Sequence, residues 1–381
     1  MVSTTAAVET PFAEQFREFI KSENDPLLRK LRERAFDAFI ELGFPTFKNE
    51  DWKYTNVASI ANGDWSITGD RSWRNAAETV ELLAKFDLRR NGFAALNMAF
   101  GAYEVTRIAK ETVVDEPIEF SFPTAANTVI FPHILIVAEA GCKATIVETY
   151  DSAVKSFTNA AFQIVVEDDA NLTHYRVQRD GADAFNVGTT EVSLGSGSRY
   201  DSTNINLGAA LSRHDIDVKF TAEGGEAWVD GLYMLNGSQH HDTHSIIDHT
   251  VPNCTSHQTY KGVLNDHSRG VFNGKVFVRE NAHGTDAQQS NKNLLLSNDA
   301  RVDTKPQLEI FNDDVKCSHG ATVGQLEEEE LFYLLTRGLP QTLAKNLLTY
   351  GFAEEVINKI KIESIKKDLD ATVLNRLGAE I

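Results

Sequence analysis

The sequence predicts a mainly β protein in which a parallel β-helix core is flanked by N-terminal and C-terminal helical regions. Short turns rich in Gly, Asp, Asn and Ala recur about every 27–30 residues through the middle of the chain, a period typical of solenoid repeats. No helical run of about 10–12 residues separates the strands between these turns, which argues against a doubly wound sheet. Stacked coils of a β-helix bury one continuous apolar column. A β-sandwich is the competing fold.

The first region, residues 1–90, is predicted to be helical. Phe12, Phe16 and Phe19 recur at helical spacing. A second helix is expected to begin at Pro26 with Asp25 as its N-cap, because Asp caps helices and Pro fits the first helical position. Gly43 supplies a stop signal for this helix. The polar stretch that follows, residues 50–56, is interpreted as a packed loop in preference to a binding segment.

The middle region, residues 91–323, is predicted to form the β-helix. It is rich in Val, Ile, Thr and Phe, and its strands follow the recurring turns. The regular turns lie at residues 138–141, 167–170, 195–198 and 222–225, and two more loosely spaced ones lie at 266–268 and 298–300.

The last region, residues 324–381, is predicted to be helical again. Four acidic residues, Glu327 to Glu330, suit a helix N-terminus, where the macrodipole favours negative charge. Gly338 is expected to end this helix, and Pro340 to begin the next. The leucines of this region are expected to cap the end of the solenoid and also to offer surface to a partner protein.

Composition excludes several classes of protein. The chain has 381 residues, and no apolar run approaches the roughly 18 that span a bilayer, so a soluble protein is expected. Met1 to Thr4 opens without the basic and apolar segments of a secretory signal. Three scattered cysteines suit the reducing cytoplasm. A net charge of −18 argues against binding to nucleic acid.

One thiol and one imidazole near the end of the core form a candidate metal-binding pair. In an extended strand, Cys317 and His319 emerge from the same face about 6.5–7 Å apart and can reach one metal centre. Lys316 and a protonated His319 are expected to lower the pKa of the thiol and favour the metal-binding thiolate. The alternative is a half-buried cysteine beside a surface histidine.

A second group of histidines is a weaker candidate for metal binding. His240, Asp242 and His244 share one face of a predicted strand, but their spacing matches no usual structural zinc pattern. A solvated sheet face explains this group, which extends to His257, more simply than a metal site does. Cys142 and Cys254 are interpreted as small buried apolar residues.

Signatures of catalysis are missing from the sequence. It contains no phosphate-binding glycine loop with its Lys-Ser/Thr, no nucleophile elbow and no His-Glu-x-x-His. We therefore expect that the chain is not an enzyme and that any ATP hydrolysis belongs to a partner.

Several segments spread along the chain resemble the SufD-type members of the SufB/SufD family, which are scaffold subunits of the SUF iron–sulfur cluster assembly machinery. The resemblance covers most of the chain and is carried by residues 51–55, 211–216, 256–262, 271–274, 291–297, 306–310, 313–322, 324–326, 331–334 and 337–338. A SufB-type chain is the close alternative, but residues 313–322 have the SufD form.

This resemblance implies a right-handed parallel β-helix and a role as a scaffold. It implies that His319 takes part in binding a nascent cluster, while the role of Cys317 is less settled. A transient cluster shared with a SufB-type subunit is expected, with no cofactor held tightly by the isolated chain. The C-terminal helices are expected to carry a SufC-type ABC ATPase, with contacts at Arg337, Pro340, Gln341 and Thr342. A homodimer is a further possibility when partners are absent.

The rival function is a β-helix enzyme that acts on acidic polysaccharide. Such an enzyme needs a groove with paired carboxylates or a Ca²⁺–Arg arrangement, and no window of the sequence isolates one. The net negative charge of the chain would also repel an anionic polymer.

Overall fold

The computed structural model describes residues 11–68 and 77–377. Met1 to Thr4, on which the expectation about a secretory signal depends, lie outside the described residues. Helices occupy the two ends of the described chain. They are α1 (Pro11–Lys21), α2 (Pro26–Leu42), a 3₁₀ turn (Glu50–Trp52), α3 (Ala58–Ala61), α4 (Ala77–Leu83), α5 (Gly92–Phe100), α6 (Glu328–Thr336), α7 (Gln341–Ile357) and α8 (Glu363–Arg376). None of the helices in the described ranges is long and apolar enough to cross a membrane.

All strand pairs within the described ranges are parallel, and the strands form two sheets. Sheet A contains β1 (Ser66–Ile67), β2 (Ala102–Ile108), β4 (Thr128–Ile130), β5 (Pro132–Ala138), β7 (Phe157–Val166), β9 (Phe185–Leu194), β11 (Leu211–Phe220), β13 (His240–His249), β15 (Arg269–Val278) and β17 (Arg301–Ile310). Sheet B contains β3 (Ile118–Ser121), β6 (Lys143–Tyr150), β8 (Asn171–Gln178), β10 (Arg199–Asn206), β12 (Glu226–Leu235), β14 (Thr255–Leu264), β16 (Thr285–Leu295) and β18 (Val315–Gly324).

From β5 onward the chain alternates between the two sheets, so the strands form the coils of a parallel β-solenoid. Leu211 pairs with Phe185, 26 positions earlier (211 − 185), and Arg301 pairs with Arg269, 32 positions earlier (301 − 269). The side chains that face inward form an apolar column that runs along the solenoid. The mainly β solenoid with helical ends is confirmed, and the β-sandwich is excluded because the two sheets are built from parallel strands that alternate along the chain.

The N-terminal helices pack on the outer face of sheet A. Helix α2 begins and ends as predicted: the Asp25 carboxylate accepts hydrogen bonds from two backbone N–H groups, and Gly43 at its end has a φ of 64°. Phenylalanines of α1, α2 and α5 form one buried cluster with Phe157 and Val187 of sheet A. Helix α5 lies inside the region predicted to be strands. It is buried on all sides, so its sequence shows no helical period.

Helices α7 and α8 lie along the solenoid and not across its end. Val356 and Ile357 of α7 and Leu369 of α8 join a buried cluster with Leu232 and Val263 on the outer face of sheet B. Lys261 Nζ anchors α7 by donating a hydrogen bond to the Phe352 carbonyl oxygen, at 3.0 Å. The expectation that these helices cap the solenoid was therefore wrong. Instead, the apolar side chains of α7 and α8 pack against the outer face of sheet B.

The last coil, β17 with β18, forms an end of the solenoid that we call the open end. Within the described ranges, β17 pairs only with β15, and β18 pairs only with β16. Each of the two strands therefore leaves one backbone edge unpaired. Three large apolar side chains are exposed at this end: Ile310 at 41%, Phe311 at 55% and Val323 at 49%. Sheets usually protect such an edge, since unpaired strands recruit other strands.

The turns that join the coils leave no room for a side chain at Gly208. A Cβ atom added there would stand 2.0 Å from the Asp180 carbonyl oxygen of the neighbouring coil. We expect Gly208→Ala to lower the free energy of unfolding by about 1–3 kcal/mol or more, because the backbone of one coil must shift. Gly351→Ala is the matched control, since Gly351 is exposed in α7 and, apart from its chain neighbours and the backbone of its own helix, no atom lies within 4 Å of its added Cβ. Equal urea midpoints for the two variants would contradict this account.

Candidate functional site

The strand β18 carries both members of the predicted metal-binding pair. Cys317 pairs in register with Ala287, and His319 pairs with Gln289. Ala287 and Gln289 are buried on the inner side of β16, so the pair occupies the inward-facing positions of the last coil. The extended conformation expected for this segment is confirmed.

The two side chains differ in exposure. Cys317 is half-buried and packs against the apolar column, whereas His319 is exposed. They face the open end because no described strand continues the sheet beyond β18. The imidazole is therefore accessible from outside the molecule, and the thiol lies two positions earlier on the same face of the strand.

The pKa of the Cys317 thiol is raised, whereas the sequence indicated that it would be lowered. Burial raises the pKa of Cys317, and the nearby Asp286 carboxylate raises it further, although a backbone hydrogen bond with Ala287 opposes them. Lys316 does not help, since alternation along the strand places it on the opposite face. The expectation of a lowered pKa was wrong in the isolated chain. A metal would have to displace the thiol proton when it binds.

A row of buried carboxamides leads through the solenoid to His319. Gln258, Gln289 and His319 occupy the same register position on β14, β16 and β18. Gln289 Nε2 donates a hydrogen bond to Gln258 Oε1 at 2.6 Å, and Gln258 Nε2 donates one to Ser245 Oγ at 2.7 Å. Gln289 is the register neighbour of His319, and its Oε1 atom has no hydrogen-bond partner. Sequence reasoning missed this row. Its signal was the repeated glutamine at inward positions of successive coils.

The pair is too small to hold a metal centre by itself. Across residues 11–68 and 77–377, no group of three or more His, Cys, Asp or Glu residues is arranged to hold a metal ion. Iron–sulfur clusters usually take four protein ligands, mostly thiolates. One thiol and one imidazole would therefore fill at most two of these four positions.

The second histidine group is divided among different surfaces. His240, Asp242 and His244 share the outer face of β13, as predicted, but that face is not solvated. The 3₁₀ turn and the residues after it cover the face, so Asp242 is 1% exposed. His241 faces the interior and His257 stacks on Trp228, with ring centroids 4.2 Å apart. Cys142 and Cys254 are buried, as expected, and have free thiols.

Asp242 belongs to a buried ionic network on the outer face of sheet A. Arg213 donates hydrogen bonds to Asp242 at 2.7 Å, to Asp215 at 3.0 Å and to the Asp51 carbonyl oxygen at 2.7 Å. Its guanidinium also lies 3.7 Å from the centroid of the Trp52 ring. Burial alone would raise the pKa of Asp242, but Arg213 and His244 outweigh it and hold that pKa well below its usual range. This network fixes the loop of residues 50–56, which is a packed loop as interpreted.

The residues predicted to bind a partner lie together at the turn between α6 and α7. Arg337, Pro340, Gln341 and Thr342 are all exposed. Helix α6 has no buried residue in the structure. Phe332 and Tyr333 on this helix are 67% and 56% exposed. This helix presents an uncovered apolar surface.

Comparisons with known proteins match the chain over most of its length. The model of the SUF system FeS cluster assembly SufBD core domain matches residues 121–352, and that of the SufBD protein N-terminal region matches residues 9–81. An iron–sulfur cluster assembly SufBD family protein of Synechocystis is 32% identical across 91% of this chain and 90% of its own. The iron–sulfur cluster assembly protein SufD of Escherichia coli is 31% identical across 89% of this chain and 90% of its own. The SufD protein of Bacillus subtilis is 30% identical across 70% of this chain and 62% of its own. The chain, with its parallel solenoid and its thiol–imidazole pair at the open end, therefore belongs to the SufBD family of the SUF iron–sulfur cluster assembly system.

Proposed function

We propose that this chain is a non-catalytic scaffold subunit on which a nascent iron–sulfur cluster is assembled as cargo. The observation that supports this most directly is the position of Cys317 and His319 on the last strand of an uncapped solenoid. Thiolate and imidazole are suitable ligands for such a cluster. The chain holds no cofactor tightly on its own, because two ligands leave most of the cluster's coordination positions unfilled.

The remaining ligands come from a second subunit of the SufB type that docks on the open end. An unpaired strand edge binds another strand through backbone hydrogen bonds. The exposed Ile310, Phe311 and Val323 add apolar surface around these edges. In the absence of that subunit, two copies of this chain pair through the same end. The cluster is thus held between subunits, where it can be built and then released.

The ATPase that drives the cycle belongs to a separate, SufC-type subunit. Its docking site is the α6–α7 surface, where Phe332, Tyr333, Leu343 and Leu347 are between 40% and 67% exposed. Apolar anchors spaced along a helix are typical of helix-in-groove recognition. The turn at Arg337, Pro340, Gln341 and Thr342 forms the rim of this surface. The complex works in the reducing cytoplasm, since the three cysteines are free thiols.

Polar substitution at the centre of this surface tests the docking site. We expect Phe332→Gln to weaken co-purification with the ATPase by about tenfold or more, because buried aromatic anchors often dominate an interface. Its melting temperature should stay within a degree or two of the parent, since the side chain is 67% exposed. Phe47→Gln is the matched control, because Phe47 is 72% exposed in the N-terminal region. If both variants retain the ATPase equally, the docking site lies elsewhere.

The composition of the native complex tests the proposal as a whole. The chain, tagged at its natural expression level, should co-purify with a SufB-type subunit and an ATPase, and the complex should hydrolyse ATP when the chain alone does not. Recovery of the chain solely as a monomer or homodimer from cells that build iron–sulfur proteins would contradict the proposal. So would turnover of ATP by the purified chain that a point mutation in this chain abolishes.

A further inference from the structure

The row of buried glutamines inside the solenoid has a direction. Gln258 Nε2 donates a hydrogen bond to Ser245 Oγ on β13, and Gln289 Nε2 donates one to Gln258 Oε1 on the preceding coil. We call Gln258 and Gln289 the glutamine ladder. Gln289 directs its donor away from the open end, and the oxygen of Gln258 accepts from the coil that follows it. By the same order, the oxygen of Gln289 is placed for a donor of the last coil.

Gln289 Oε1 is a buried acceptor that lacks a donor. The residue is 3% exposed, and Oε1 has no hydrogen-bond partner within the described ranges. Buried polar groups are nearly always hydrogen-bonded, so each exception requires an explanation. Turning the carboxamide over does not help, because it would set Gln289 Oε1 against Gln258 Oε1, and both atoms are acceptors. The missing donor therefore has to come from another group.

The opposite sheet leaves room for this carboxamide at Gly274 of β15. A Cβ atom added at Gly274 would lie 2.3 Å from Gln289 Nε2 and 2.9 Å from its Cδ. The carboxamide of Gln289 thus lies close to the backbone of β15, where a larger residue would displace it. Its position is therefore fixed from two sides, by the ladder and by β15.

His319 is the donor that the strand register places beside this acceptor. Gln289 and His319 pair across β16 and β18, and neighbouring strands are about 4.8 Å apart, so their side chains project side by side from one face. A neutral imidazole carries one N–H donor and one nitrogen lone pair. His319 is exposed, so no packing prevents its ring from turning toward Gln289.

We propose that Gln289 is a positioning residue for His319, and that its Oε1 atom accepts a hydrogen bond from one ring N–H of the imidazole. The other ring nitrogen then keeps its lone pair, which is available to the cluster. Metal-ligating histidines almost always donate their second ring N–H to such an acceptor, which fixes the tautomer and the orientation of the ring. The inference rests on the proposed function for the cluster alone, since the hydrogen bond belongs to the isolated chain.

NMR of the isolated full chain with isotope-labelled histidine tests the hydrogen bond. At about pH 8 an ordinary imidazole is neutral, and its N–H exchanges with water too fast to be observed unless it is hydrogen-bonded or buried. We expect a ring N–H signal that His319→Ala removes, which assigns it. Gln289→Met should also remove it, because methionine keeps the length of the side chain without the acceptor. Gln163→Met is the matched control, since Gln163 is a buried glutamine of β7 that donates to the Leu82 carbonyl oxygen.

Gly274→Ala provides a second variant in case Gln289→Met does not fold. Its methyl group displaces the carboxamide without removing it and should likewise abolish the His319 signal. Thermal unfolding checks the fold of each variant. The proposal is overturned if the His319 signal persists in the folded variants. It is also overturned if the parent lacks that signal while His241, whose ring is buried and bonded to Ser212, shows its own.

The effect on cluster assembly is measured separately, in cells. Gln289→Met should lower the activity of dependent iron–sulfur enzymes by about tenfold, since loss of an outer-shell partner typically costs roughly 10–100-fold. Gln163→Met should leave that activity unchanged. Combining Gln289→Met with His319→Ala should add nothing to the defect of His319→Ala, because both substitutions act through one imidazole.

The two measurements distinguish failure of this inference from failure of the proposed function. Normal enzyme activity with Gln289→Met, in cells where His319→Ala is defective, would overturn the positioning role of Gln289. Normal activity with His319→Ala would instead contradict the proposed function, and the NMR result on the isolated chain would still decide whether the hydrogen bond exists.

Discussion

Cells that carry His319→Ala as their only copy of this chain should lose about tenfold or more of the activity of iron–sulfur enzymes that depend on this assembly system. Loss of an outer-shell partner of a metal ligand already costs roughly 10–100-fold in metal affinity or activity, so loss of a ligand should cost at least as much. The purified variant should melt at the temperature of the parent, because the exposed imidazole contributes little packing. The measurement is the specific activity of such an enzyme in extracts, beside the amount of the scaffold chain.

Two further variants make this result specific. His283→Ala removes another exposed imidazole, from a turn two strands away in sequence, and should leave enzyme activity unchanged. Cys317→Ser should cause a similar or weaker defect than His319→Ala, since the thiol is half-buried and its pKa is raised. Normal iron–sulfur enzyme activity in His319→Ala cells would remove His319 from the ligand set.

The largest loss of stability is expected at Arg213. Arg213→Leu leaves the carboxylates of Asp215 and Asp242 buried, each with 1% of its side chain exposed, and without their main cation. Removing one partner of a buried ion pair typically costs about 3–5 kcal/mol. The variant should also release the loop of residues 50–56, because Arg213 holds the Asp51 carbonyl oxygen and stacks on Trp52. Urea unfolding followed by tryptophan fluorescence measures both effects.

A surface ion pair on the same sheet provides the control. Arg279 donates hydrogen bonds to Asp248, at 2.7 and 3.1 Å, but its side chain is 44% exposed. Exposed pairs contribute about 0–1 kcal/mol, so Arg279→Leu should change the free energy of unfolding by no more than that. Similar losses for the two variants would show that the network around Arg213 does not hold the N-terminal region on the solenoid.

The sequence predicted the parts of the fold that depend on local signals. Recurring turns identified the coils, and Asp25, Gly43 and Pro340 marked helix ends that the structure reproduces. Helix α5 was missed because all of its residues from Gly92 to Phe100 are buried, so no polar face marks a period.

Features that depend on contacts between distant segments were not predictable. The outer face at His240 and Asp242 looked solvated in the sequence, because nothing near it indicates that Thr55, from the N-terminal region, covers it. The pKa of Cys317 was misjudged for a related reason. Its neighbour in sequence, Lys316, faces away, whereas Asp286 comes from the preceding coil of the same sheet.

The candidate site was predicted by residue type and strand periodicity, which placed Cys317 and His319 on one face. Their position at the end of the solenoid was not predicted. It follows from the path of the C-terminal helices, which pack along sheet B through Val356 and Ile357 and leave the last coil uncovered. The apolar pattern of a helix does not specify which surface it covers.

The open end also has a consequence for the supply of subunits in the cell. A newly synthesised chain exposes two unpaired strand edges and the apolar side chains of Ile310, Phe311 and Val323 until another molecule covers them. Such edges promote aggregation and capture by quality-control proteases, so we expect an unassembled copy to be shorter-lived than an assembled one. If the proposed partner covers this end, we expect the abundance of this chain to follow the abundance of that partner.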